Sequence, residues 1–86
     1  MCEETKHIAS SLMRMKECVP SGIETKFDYL KQNCFHVAPE IAHQYWFKIH
    51  EYLSNTFQDA DTEWHKQICD IYHEEYIEYL KKFKQQ

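Results

Sequence analysis

The chain has 86 residues, 43% of them hydrophobic and 15% aromatic, and a formal net charge of −4. That is one domain with ample apolar material for a core, which excludes a disordered chain, and the mild acidity argues against a general nucleic-acid binder. One glycine and two prolines leave little turn chemistry and almost nothing to interrupt a helix, so the composition points to an all-α fold.

A first helix is expected over residues 3–18. Ile8, Leu12, Met15 and Val19 recur at i, i+4, i+7 and i+11, which is one narrow helical stripe. Glu3 and Glu4 suit the positive end of its dipole. Pro20 closes it, because the residue before a proline is pushed out of the α region. A second helix is expected over 22–35, opened by Ser21-Gly22-Ile23-Glu24 as a capping box in which the serine covers an orphan N–H and the glutamate reaches back. Its buried stripe is Ile23, Phe27, Leu30 and Cys34, with Tyr29 and Phe35 left outside.

The third helix is expected over 39–55. Pro39 is well suited to a first helical position, and Glu40 follows it. Ile41, Ala42, Tyr45, Ile49, Tyr52 and Leu53 share its apolar face. Trp46 and Phe57 fall at the edge of that face, and His43, Phe47, His50 and Ser54 fall beyond it. A turn with Asp59 or Asp61 as N-cap leads to the fourth and longest helix, over 61–82. Trp64, Ile68, Ile71, Tyr72, Tyr76, Tyr79, Leu80 and Phe83 make its broad apolar face, while Asp70, Glu74, Glu78 and Lys81 lie opposite. Four amphipathic helices joined by short loops give a small four-helix bundle with a long C-terminal helix. The deepest burial is expected at Ile8, Leu12, Phe27, Leu30, Tyr45, Ile49, Trp64, Ile68 and Tyr72.

No motif marks an enzyme: the chain has no phosphate-cradling glycine loop, no nucleophile elbow and no HExxH. No apolar run approaches the ~18–20 residues of a membrane span. The first residues lack the basic and apolar regions of a secretory signal. The expectation is therefore a cytoplasmic protein with reduced thiols at Cys2, Cys18, Cys34 and Cys69. Lys6, Arg14, Lys16, Lys26 and Lys31 are basic, but a single arginine is poor equipment for reading bases or phosphates, so no nucleic-acid partner is expected. Glu63, Asp70, Glu74, Glu75 and Glu78 on the fourth helix read as a solvated face.

Two sets of residues offer something more. His65-x3-Cys69-x3-His73 places two histidines and a thiol at successive i, i+4 positions, and Cys34 with His36 would complete a tetrahedral zinc site. The set lacks the tight C-x2-C pairing of structural zinc sites, so no metal is expected. A haem held by His43, His50 or His65 would need a pocket among plain core aromatics, so no cofactor is expected either. The second set is a surface. Met13, Tyr29, Phe35, Phe47 and Ile77 fall off the buried stripes of their helices, and interface cores are enriched in aromatics and methionine. The most coherent patch is His43, Trp46, Phe47, His50 and Ser54. The expected function is a small acidic interaction module that binds a larger protein as an inhibitor or regulatory subunit, in the manner of immunity or antitoxin proteins. A second copy of the chain is the other candidate partner. The alternative is a metal- or haem-binding helical protein using the Cys/His set.

Overall fold

A computed structural model describes residues 3–56 and 63–84. They form four helices and no strand: α1 (Glu3–Lys16), α2 (Glu24–Cys34), α3 (Pro39–Thr56) and α4 (Glu63–Phe83). This is the all-α four-helix bundle that the periodicity predicts. The 21 residues of α4 rise about 30 Å at 1.5 Å each, so α4 fits only the longest of the molecular extents, 37 × 25 × 19 Å. The expected N-cap at Asp59 or Asp61, with Phe57 and Cys2, lies outside the described residues.

The helices are not packed evenly. Helix α1 packs against all three others, α2 rests on α1 and α3, and α2 and α4 do not meet. Helix α4 is seated mainly on α1, and its seam with α3 is the thinnest in the bundle. The buried face of α1 explains its central place. Thr5, Ile8, Ala9, Ser11, Leu12 and Met15 are all buried, a broader arc than the single expected stripe, because small residues on its flank let neighbours approach from two sides.

The α1–α2 junction departs from the expected capping box. Helix α2 begins at Glu24 with Ile23 as a helical N-cap residue, and no side chain caps it. Gly22 adopts φ +103°, which only glycine tolerates without strain, so the chain turns there instead of entering a helix. The Ile23 amide donates to the Pro20 carbonyl at 3.3 Å across that turn, and burial of Ile23 fixes the register. Ser21 therefore sits too far back to act as a cap. The space where a Cβ would stand at Gly22 is open, so the cost of a side chain there is conformational alone. Gly22→Ala is expected to lower stability by about 1–2 kcal/mol, read as a shift in the urea midpoint at unchanged slope. Pro39 opens α3 as expected, and the amides of Ile41 and Ala42 both donate to the Ala38 carbonyl at 2.9 Å.

Most of the predicted core is core. Ile8, Leu12, Phe27, Leu30, Tyr45, Ile49 and Ile68 are buried, and Tyr79 joins them. Four assignments change. Trp64 and Tyr72 are half-buried rather than deep; Tyr72 lies at the thin α3–α4 seam, against Trp46 and Phe47. Ile41 is 46% exposed at the start of α3. Trp46, placed at the edge of its helix by the wheel, is 1% exposed and occupies the centre of the molecule.

Candidate functional site

Helix α3 packs against α1, α2 and, more thinly, α4, so its buried arc is wider than one stripe. Trp46 is the pivot. Its indole Nε1 donates to Ser11 Oγ at 2.7 Å, and that hydroxyl donates to the Ile8 carbonyl at 3.0 Å. Tyr79 and Tyr76 stand edge-on to its ring at 5.4 and 6.2 Å, and Tyr72 at 6.1 Å. A fully sealed residue gives a partner no surface. Trp46 therefore leaves the proposed binding patch and becomes its floor.

Three of the other four patch residues, His43, Phe47 and His50, face α4. They line two separate hollows along the α3–α4 groove, Phe47 and His50 with Cys69, Tyr72 and His73, and His43 with Tyr76 and Leu80. Toward the start of α4, a hollow of about 140 Å³ is lined by Phe47, His50, Cys69, Tyr72 and His73. Phe47 is 60% exposed, with its ring edge-on to Tyr72 at 6.1 Å. His50 lies 6.4 Å from the same tyrosine. Ser54, one turn further on, is half-buried and is not part of this lining. Toward the end of α4, a second hollow is lined by Glu40, His43, Tyr76, Tyr79, Leu80 and Lys84. His43 is half-buried there rather than exposed. It is stacked on Tyr79 at 4.9 Å, tilted against Tyr76 at 5.3 Å and edge-on to Trp46 at 5.2 Å. Its Nε2 is buried and has no hydrogen-bond partner. Burial, with the Lys84 charge nearby, holds this imidazole below its ordinary value.

On the opposite flank, α4 is clasped to α1 by charge. Glu75 was expected on a solvated acidic face, but its side chain is 12% exposed. His7 Nε2 lies 3.2 Å from Glu75 Oε2, and Arg14 Nη1 donates to Glu75 Oε1 at 2.7 Å and to Glu74 Oε1 at 3.4 Å. The two carboxylates raise the Arg14 pKa above its usual range. The Tyr79 hydroxyl adds a 3.2 Å bond to Glu4. His7 and Arg14 are seven residues apart, so they share one face of α1; that spacing was the available sequence signal for this clasp. Lys16 donates to Asp28 at 2.7 Å. Arg14 and Lys16, and Lys6 with Glu3 at 3.7 Å, are thus paired with carboxylates of their own chain, which accounts for three of the five basic residues Lys6, Arg14, Lys16, Lys26 and Lys31.

The Cys/His set is dispersed. Cys34 is fully buried in α2, where desolvation pushes its thiol up to about 11. His36 is exposed in the turn after α2. Because α2 and α4 do not pack together, neither residue reaches His65, Cys69 or His73. Among the described residues, no group of three His, Cys, Asp or Glu side chains is placed to hold a metal ion. Cys18, Cys34 and Cys69 are free thiols. Burial beside Asp70 raises Cys69 as well, so neither Cys34 nor Cys69 is poised as a nucleophile at neutral pH. His43, weighed as a haem ligand, has its rings stacked and its Nε2 covered, which leaves an iron no approach.

Among the described residues, no helix is long and apolar enough to cross a membrane. Compared with known proteins, the chain matches no family model, no curated protein and no solved structure. The class the fold defines is a small all-α four-helix bundle.

Proposed function

We propose that this domain is a small acidic interaction module that acts in the cytoplasm as an inhibitor or regulatory subunit and holds a larger protein in its α3–α4 groove. It carries out no catalysis of its own. The observation that carries this reading is Phe47: a large aromatic, 60% exposed, on the lip of an aromatic groove where two helices barely meet. A largely solvated phenylalanine adds little to folding. Seated in a partner it is the kind of anchor that dominates binding energy, with the flanking residues excluding water around it. The walls are Tyr72, His50 and His73 at one end and Tyr76 and Leu80 at the other. Aromatic bodies with polar tips are enriched at such surfaces.

Tyr29 supplies the internal control. It is as exposed as Phe47, at 63%, but lies on α2, away from α4. A photo-crosslinking side chain at position 47 should capture the partner recovered from the native host, and the same group at position 29 should not. Equal capture at both positions, or capture at 29 alone, would move the working surface to α2. Self-association is read in parallel by sedimentation: crosslinking of 47 to a second copy identifies that copy as the partner.

A further inference from the structure

Two histidines approach the Trp46–Tyr79 cluster from opposite sides, and their surroundings are opposite in kind. From α1, His7 lies 6.3 Å from Tyr79 and 6.2 Å from Trp46. The Glu75 carboxylate stands 3.2 Å from its Nε2, so that nitrogen has a polar partner. From α3, His43 lies between Tyr76 and Tyr79, with its Nε2 buried and unpartnered. The charged and titratable groups around it are Glu40 on its own helix and Tyr76, Tyr79 and Lys84 on α4. From α1, Glu4 and His7 reach this cluster through Tyr79. Glu40 lines the same hollow without forming an ion pair to His43. A proton on His43 therefore creates a buried N–H with no acceptor and places a like charge near Lys84. The tyrosine faces return some cation–π attraction, but an unpaired buried charge is the larger effect.

We infer that the α3–α4 seam is a proton-operated joint: protonation of His43 opens the groove between α3 and α4, while the His7–Glu75–Arg14 clasp keeps α4 seated on α1. The thinness of the α3–α4 seam is what allows one side chain to control it. Because the folded pKa of His43 lies below its ordinary 6.5, the unfolded or opened chain binds the proton more readily. The stabilisation is complete above about pH 6.5 and is lost as pH falls from there through the folded value. Opening exposes Tyr72, Tyr76 and the face of Trp46, so the device would expose more of the apolar surface a partner uses. The joint itself requires no partner.

The test uses the intact chain between pH 7.5 and pH 5.0. The wild type should bind a hydrophobic dye at the acid end with its helix content kept, and its Tm should fall by about 5 °C or more. His43→Phe and His43→Gln, which cannot titrate, should flatten both responses. Glu75→Gln should turn partial opening into full loss of helix at the acid end, because the clasp is gone. Retention of the wild-type pH response by both His43 variants overturns the proposal, and so does an acid wild type with no dye binding. A proton titration followed by NMR needs no variant. His43 should gain its proton together with loss of its ring contacts to Tyr76 and Tyr79. A protonated His43 with those contacts intact refutes the joint, whatever becomes of the partner surface.

Discussion

Trp46→Ala should remove a large part of the stability of this domain, at a cost of about 3–5 kcal/mol. Small domains hold about 5–15 kcal/mol in total, so the variant should melt well below the wild type. Three effects combine at this position. The indole is sealed at 1% exposure, so truncation leaves a large void at the centre of the bundle. Its ring is shared by Tyr72, Tyr76 and Tyr79 from α4 and by His7 and His43, so those contacts are lost together. Finally, Ser11 Oγ loses the donor at 2.7 Å, and a buried hydroxyl left half-satisfied costs about 1 kcal/mol or more. Trp46→Phe separates the terms, since it keeps most of the ring volume and loses the hydrogen bond. Urea titration of the two variants should place the phenylalanine form well above the alanine form. If Trp46→Ala melts within a degree or two of the wild type, Trp46 is an edge residue after all.

Ile68→Ala is the second large effect expected, at about 2–5 kcal/mol. Ile68 and Tyr79 are the only fully buried side chains that α4 contributes among the described residues. They stand three turns apart, one toward each end of the helix. Around Tyr79 the helix is also held by Glu75, Glu4 and the clasp from α1. Around Ile68 its other apolar neighbours, Trp64, Ile71 and Tyr72, are only half-buried. Loss of Ile68 should therefore free the first half of α4 while the second half stays docked. Amide exchange should show fast opening over residues 63–72 and retained protection near Tyr79. Uniform loss of protection along α4 would mean that its two ends are not held independently.

The fold was legible because it is built on periodicity. Ile8, Leu12 and Met15, or Phe27, Leu30 and Cys34, each mark a face by spacing alone, and Pro39 marks a helix start through its missing N–H. The misreadings on α3 share one cause. A helical wheel assumes one buried stripe, but α3 is covered from two sides, so Trp46 passed from edge to centre. The same coverage made His43 half-buried, with its Nε2 sealed. Capping at Ser21 failed because Gly22 used its freedom to make a turn, and Ile23 packed inward. Glu75 looked solvated because its partners, His7 and Arg14, are more than sixty residues away in sequence, where no local rule reaches. Phe47 was legible as an anomaly: a phenylalanine off its helix's stripe remains exposed when the helix is packed. What the sequence could not show was that the opposite wall, Tyr72 and Tyr76, comes from α4, since that depends on which helices meet.

The most direct measurement on the interaction reading is a paired comparison of wild type and Phe47→Ala. Thermal melts of both should agree within a degree or two, because an exposed ring adds little to folding. Calorimetric titration with the partner recovered from the native host should weaken by about thirtyfold or more, since an anchor of this kind contributes about 2 kcal/mol. If a second copy is the partner, the same loss appears in the dimer dissociation constant by sedimentation. A Phe47→Ala chain that folds normally and binds with wild-type affinity would contradict the account and leave the α3–α4 groove without a partner.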